Sequence, residues 1–207
     1  MRVYFVRHGE SKFNALQLRQ HGRVELSEYG AKQAASVANR FKKLPVDIIL
    51  SSDYTRTKQT AQIIQKIVRV PIEYTDLLRE IKRPMEIEGK RIDDPEAVRI
   101  MNLIKTHEYD PDWHHSDEEN FFDVRRRIVD FWNLLCLRKE ERILVVTHTV
   151  VLRYLMGILL FCENFGPQEA HRVYHFFRMS NTGITVIDRD GGGNWHLVTW
   201  NDHAHLG

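Results

Sequence analysis

Apolar residues along this chain fall into short runs that alternate with longer stretches of helical spacing. Val3-Tyr4-Phe5-Val6, Val46 to Leu50 and Ile143-Leu144-Val145-Val146 are the runs, and such runs predict strands buried on both faces of a parallel sheet. Each ends abruptly in polar residues: Arg7-His8-Gly9, Ser51-Ser52-Asp53 and Thr147-His148-Thr149. Between them, Ala31, Ala34, Ala35, Ala38 and Phe41 behind a Ser27 N-cap predict one helix, and Ala61, Ile64 and Ile67 after Tyr54 predict another. A third helix is predicted by Val124, Ile128, Phe131 and Leu135, and a fourth carries Arg153 after His148. Pro71 to Tyr74 reads as a short strand leading to Leu77-Leu78-Arg79-Glu80. This β-then-α rhythm predicts an α/β fold, a three-layer α/β/α sandwich around a mostly parallel central sheet.

Two segments depart from the rhythm. Residues 81–118 carry Pro84, Pro95 and Pro111 and one helix that Asp94-Pro95 opens as cap and first position, which predicts a helical insertion over the site. Ser116 with Glu119 reads as a capping box for the following helix. Near the end, Thr182 to Ile187, a Gly191-Gly192-Gly193-Asn194 turn and Trp195 to Trp200 predict a hairpin at the sheet edge. The 207 residues are therefore expected to form one domain, 1–207, with the insertion at about 81–118.

Composition narrows the class. A net charge of +2 from 30 basic and 28 acidic residues gives no field suited to nucleic acid or a membrane surface. The longest apolar run, Val150 to Phe161, contains Arg153 and is too short to span a bilayer. Cys136 and Cys162 form no disulfide framework and sit among apolar residues as buried thiols do, so a cytoplasmic protein is expected. His114-His115 lacks the spacing of a helical metal site, and His203 and His205 lie in an untethered tail, so none of the four predicts a metal.

The chemistry gathers at the strand ends. In a parallel α/β sheet these ends lie side by side and face the ligand crevice, which brings together Arg7, His8, Arg56, His148 and the carboxylate of Glu80. A guanidinium is a rigid fork of donors suited to phosphate, and Arg56 in the first turn of its helix opposes the dipole unless an anion lies there. Arginines and histidines converging in this way point to phosphoryl chemistry. Lys82, Arg83, Lys90 and Arg91 form a basic cluster in the insertion, either a solvated face or a receiver for an acidic substrate. Trp113 could line the lid. Arg153 and Arg127 read as braces, the latter paired with Glu119 or Asp123.

Arg7-His8-Gly9-Glu10 with Ser11 and Asn14, Leu26-Ser27-Glu28-Tyr29-Gly30 with Gln33-Ala34, and Ser51-Ser52 with Arg56 and Gln59-Thr60-Ala61 stand in this order along the chain. They are followed by Glu80, Asp123 with Arg127, and Val146-Thr147-His148 with Arg153. Taken together the chain resembles the histidine phosphatase superfamily, in its phosphoglycerate mutase-like branch, over nearly its whole length. The resemblance implies that His8 is a nucleophile that becomes phosphohistidine and that Arg7, Arg56, His148 and Asn14 hold the phosphoryl oxygens. It also implies that Glu80 is the general acid and base, and that no metal or cofactor takes part. The expected substrate is a phosphate monoester, on a small molecule or a phosphoprotein, and the expected reaction is hydrolysis. Phosphoglycerate mutase is the rival, and a phospho-ligand binding or regulatory protein without turnover is the other.

The chain departs from the pattern at three places. Ile81 to Ile87 replaces an aromatic-glycine pair after the acid, Glu118-Glu119-Asn120 replaces Gly-Glu-Ser, and Thr149 replaces a small residue after the second histidine. Glu119 there has two readings, a helix cap or an orienter of the site.

Overall fold

The computed structural model describes all 207 residues. Six strands form one sheet: β1 (Arg2–Arg7), β2 (Ile48–Ser52), β3 (Ile72–Thr75), β4 (Arg142–Thr147), β5 (Ile184–Arg189) and β6 (Trp195–Asp202), in the order β3-β2-β4-β1-β5-β6. The first four in that order pair in parallel and the last two pairings are antiparallel. The mostly parallel sheet and its edge hairpin are those the apolar runs predict.

Alternation along the strands builds the layers. Val3 and Phe5 of β1 and Ile143 and Val145 of β4 turn to one face. There they meet Val124, Ile128, Phe131 and Leu135 of α5 (Phe121–Cys136) and Val151, Leu152, Leu155 and Met156 of α6 (Thr149–Phe161). Tyr4, Val6, Leu144 and Val146 turn to the other face, against α2 (Glu28–Phe41) and α3 (Thr55–Val68). Both faces of β1 and β4 are thus buried, which is why these strands read as unbroken apolar runs. Ser27 caps α2 as expected, its hydroxyl accepting from Gly30 N.

Residues 81–118 contain a short 3-10 turn at Met85–Ile87 and α4 (Pro95–Thr106), capped by Asp94 with Pro95 in its first turn. Ile87, Ala97 and Ile100 give this segment its own small core. Its middle is stitched to the loop after α1 (Lys12–Ala15) by backbone bonds between Arg19 and Lys90, Gly89 and Arg19, and Ile92 and Gln17.

Three local expectations are corrected. The capping box of α5 is made by Asn120 and Asp123, not Ser116 and Glu119. The Glu118 carboxylate folds back to accept from the His115 and Ser116 N–H groups, so the helix begins later, where Asn120 takes the extended backbone a cap requires. Cys162 is exposed and Cys136 half-buried. The tail is tied down: Asp202 pairs with Arg40, and His205 Nε2 lies 2.9 Å from Thr182 Oγ1. A further helix, α7 (Pro167–Phe176), packs beside α6 and was not apparent from the apolar spacing.

Candidate active site

The register of β1 against β4 sets Arg7 opposite Thr147, so His8 and His148, each one residue further on, emerge at the same level. Their rings lie 5.1 Å apart between centroids. Gly9 and Gly30 make this possible: a Cβ on Gly9 would stand 2.3 Å from the Gly30 carbonyl oxygen, and one on Gly30 would stand 1.9 Å from that of Glu10. The turn after His8 therefore presses backbone to backbone against the start of α2, and the Asn181 side chain holds the His8 carbonyl from the other side at 3.0 Å.

Arg56, fully buried in the first turn of α3, stands between the two imidazoles. Its Nε donates to His8 Nε2 at 3.3 Å and its Nη2 to His148 Nδ1 at 3.2 Å, while Nη1 reaches the His21 carbonyl at 2.9 Å. A guanidinium only donates, so each histidine must present a lone pair to it. The proton of His8 then sits on Nδ1, 2.6 Å from the Gly9 carbonyl, and that of His148 on Nε2, 3.0 Å from Ser52 Oγ. Burial, reinforced by the charge of Arg56, holds both imidazoles well below their ordinary pKa and hence neutral.

Positive charge is gathered here without a matching carboxylate in contact. Burial lowers Arg7 and pushes Arg56 down to about 10, with Glu80 opposing the shift in both. Arg7 Nη1 donates to the Met179 carbonyl at 2.8 Å, and its Nε is buried with no partner. Two enclosed guanidiniums with spare donors are costly unless an anion lies between them. Such a pocket can clamp a tetrahedral oxyanion and present an unprotonated ring nitrogen to its centre.

The structure brings Arg7, His8, Arg56 and His148 together and sets Glu80 beside them. The Glu80 carboxylate accepts from the Ile81 N–H at 3.1 Å and the Val150 N–H at 3.5 Å, one at the start of the insertion and the other in the first turn of α6. Asn14 is engaged locally, its Oδ1 accepting from Ser11 N–H in a capping box, and its amide Nδ2 makes no bond. Arg127 pairs with Glu119 at 2.7 Å and holds the Leu77 and Arg79 carbonyls, and Glu119 also accepts from Lys82 N–H. Glu119 therefore ties the start of residues 81–118 to Arg127 of α5 and does not cap that helix. Arg153 donates to the Phe177 carbonyl and stacks over Tyr174, bracing α7.

Ser52, Tyr54 and the Arg79–Asp53 pair were given no role in the sequence. Tyr54 lies under both Arg56 and Arg79 and 5.5 Å from the His148 ring. Ser52 follows directly on a buried run, and that strand-end position was the available signal. Of the basic cluster, Lys82 pairs with Asp117, Lys90 with Asp94 and Arg91 with Asp93, so only Arg83 is left without a carboxylate. His114 and His115 pair with Asp123 and Glu86.

The family described as the histidine phosphatase superfamily (branch 1) matches residues 3–203. A probable phosphoglycerate mutase GpmB of Salmonella arizonae is 30% identical over 217 residues, covering 100% of this chain and 95% of that protein. A probable phosphatase of Schizosaccharomyces pombe is 28% identical with the same coverage. Among solved structures, Bacillus stearothermophilus YhfR superposes with a TM-score of 0.81 at 27% identity, covering 100% of this chain and 99% of that one.

Proposed function

The chain belongs to branch 1 of the histidine phosphatase superfamily, and on that premise we propose that it hydrolyses a phosphate monoester through a phosphohistidine on His8. One observation carries the reading: Arg56 donates to both imidazoles at once, which leaves His8 Nε2 unprotonated inside a buried, cationic pocket. In the first step His8 Nε2 releases the Arg56 Nε–H and attacks phosphorus with the freed lone pair, and the ester P–O bond breaks while the Glu80 carboxyl passes its proton to the departing oxygen. Charge building on the three equatorial oxygens is met by Arg7, Arg56, the free Asn14 amide and the Nε2–H of His148, which leaves Ser52 Oγ for the substrate. In the second step water attacks the phosphohistidine, Glu80 takes a proton from that water, the P–N bond breaks, and His8 returns neutral with Nδ1 still on the Gly9 carbonyl. The guanidiniums supply the cationic stabilisation within the chain, and the mechanism routes no step through a metal.

The reading treats residues 1–207 as one domain with 81–118 as an insertion over the site, acting in the cytoplasm. The exposed, unpaired thiol of Cys162 suits a reducing compartment, and no helix is long and apolar enough to cross a membrane. A second reading, mutase action on phosphoglycerate, is favoured by the names of several relatives.

Release of phosphate from an aryl phosphate in excess chelator, beside conversion of 3-phosphoglycerate to 2-phosphoglycerate, separates the two. Hydrolysis that His8→Ala abolishes, with little isomerisation, is expected. Efficient isomerisation with little phosphate release would establish the mutase reading, and turnover surviving His8→Ala would remove the nucleophile.

A further inference from the structure

The antiparallel ladder between β1 and β5 ends at Val6 and Ile184, just short of Arg7 and His8. On that side the carbonyls of Arg7 and His8 have no strand opposite them, and enclosed carbonyls need donors. The segment from Met179 to Thr182 supplies these. Thr182 N–H donates to the Arg7 carbonyl at 3.0 Å, and Asn181 Nδ2 donates to the His8 carbonyl at 3.0 Å. Met179 in turn offers its own carbonyl to Arg7 Nη1 at 2.8 Å. On the β4 side His8 N–H donates to the Thr147 carbonyl at 3.0 Å. The backbone of His8 is thus gripped at both ends, and Nδ1 on the Gly9 carbonyl sets the ring.

The grip is strained. Thr182 is fully buried at φ +57°, a left-handed conformation that β-branched residues avoid, and the position falls on it rather than on Gly183 beside it. Such a conformation persists only where its surroundings over-determine it. Here the Thr182 hydroxyl donates to the Asn181 carbonyl at 2.7 Å and so accepts from His205 Nε2 at 2.9 Å. Ser180 N–H donates to Asn201 Oδ1 at 2.8 Å, and Gly183 N–H closes a turn on the Ser180 carbonyl at 3.1 Å. Asn201 is itself left-handed, where the register of β6 slips against β5 between Ile184 and Val186. A bulge re-aims a side chain, and this one brings Asn201 to Ser180. Residues of β6 and just beyond it therefore reach His8 through this one short segment.

Resting on the phosphatase reading, we infer that Asn181 and Thr182 are positioning residues for His8: Asn181 fixes the carbonyl of the nucleophile, and Thr182, held left-handed by His205, fixes Asn181 and the Arg7 carbonyl. Their effect falls on the direction in which Nε2 meets phosphorus. A misplacement of about 1 Å there costs on the order of a hundredfold in rate.

Calorimetric titration of the intact protein with vanadate and with inorganic phosphate reads this direction without turnover. Phosphate is held by the guanidiniums and His148, whereas vanadate also takes an apical bond from His8 Nε2, so the ratio of the two affinities reports where Nε2 points. Asn181→Leu, which keeps the size and removes the donor without adding charge, and Asn181→Ala are each expected to lower that ratio about tenfold or more, with phosphate affinity within about twofold of wild type. Both ligands bind the same folded molecules, so the ratio cancels any loss of folded protein. His205→Ala and Thr182→Val are expected to move the ratio the same way, and His205→Gln, whose amide N–H can replace the imidazole donor, to restore it. With an aryl phosphate, the Asn181 variants should lose kcat by about tenfold to a hundredfold with KM little changed. His8→Ala sets the floor. If it leaves the wild-type ratio intact, His8 makes no apical bond and the phosphatase reading falls, taking the inference with it. If His8→Ala lowers the ratio but both Asn181 variants keep it, the positioning by Asn181 alone is overturned. A ratio kept in both Thr182→Val and His205→Ala would overturn the part given to the left-handed threonine.

Discussion

The two imidazoles beside Arg56 show how a single side chain can settle the protonation of its neighbours. Because Arg56 offers only donors, His8 and His148 are kept neutral, and burial holds their pKa values well below the ordinary range. The consequence for stability has a definite sign. Below an ordinary imidazole pKa of about 6.5 the unfolded chain takes up protons that the folded chain refuses, so these two residues make the protein less stable as pH falls. Between pH 6.5 and 5.5 the pair is expected to cost roughly 2 kcal/mol. Urea unfolding of the wild type and of a His8→Asn, His148→Asn double variant at both pH values measures it, and parallel pH dependences would disprove it. Both histidines could be found in the sequence because each ends an apolar run. The bridging by Arg56 could not, since nothing in a linear pattern says which way a guanidinium turns. The same gap hid the pairing of Lys82, Lys90 and Arg91, whose acids come from the same segment and left Arg83 alone.

At the scale of elements, the approach of the His8 turn to α2 depends on the absence of two side chains. A methyl on Gly30 has no room beside the Glu10 carbonyl, whereas one on Gly191, in the hairpin turn, meets nothing within 4 Å. Gly30→Ala should therefore cost about 1–3 kcal/mol or more and lower activity with it by shifting His8, while Gly191→Ala should do neither. Urea midpoints and aryl phosphatase rates of the two variants test this, and a Gly30→Ala protein of wild-type stability would refute it. The strands and the helices α2, α3 and α5 were legible because burial leaves a periodic trace: two-faced burial in β1 and β4, one apolar stripe in α5. The start of α5 was misplaced because Ser116–Glu119 and Asn120–Asp123 both have the composition of a capping box, and backbone conformation chose between them. Helix α7 escaped because Val173 is its only fully buried residue, too little to mark a stripe.

For the molecule as a whole, the enclosed charge of Arg7 and Arg56 ties the fold to its ligand. An oxyanion that binds only the folded protein should stabilise it by about 2.7 kcal/mol at a hundredfold excess over its Kd. For a chain of this length that is a rise in Tm of roughly 5–10 °C. Thermal melts in phosphate or vanadate against chloride at equal ionic strength should show the rise, and Arg56→Gln should lose it; equal shifts in the two proteins would place the anion elsewhere. The position of β1 carries a different consequence, for the order of events during synthesis. The strand that delivers His8 is made before the other five, yet it is flanked by β4 and β5, and Asn181 reaches back 173 residues to hold the His8 carbonyl. β1 must wait, unpaired, until β4 and then β5 have been made before both of its hydrogen-bonding partners exist. Contacts so remote in sequence slow folding, so a nascent chain arrested before β5 is expected to expose one edge of the apolar Val3 to Val6 run and to require sheltering until β5 is made.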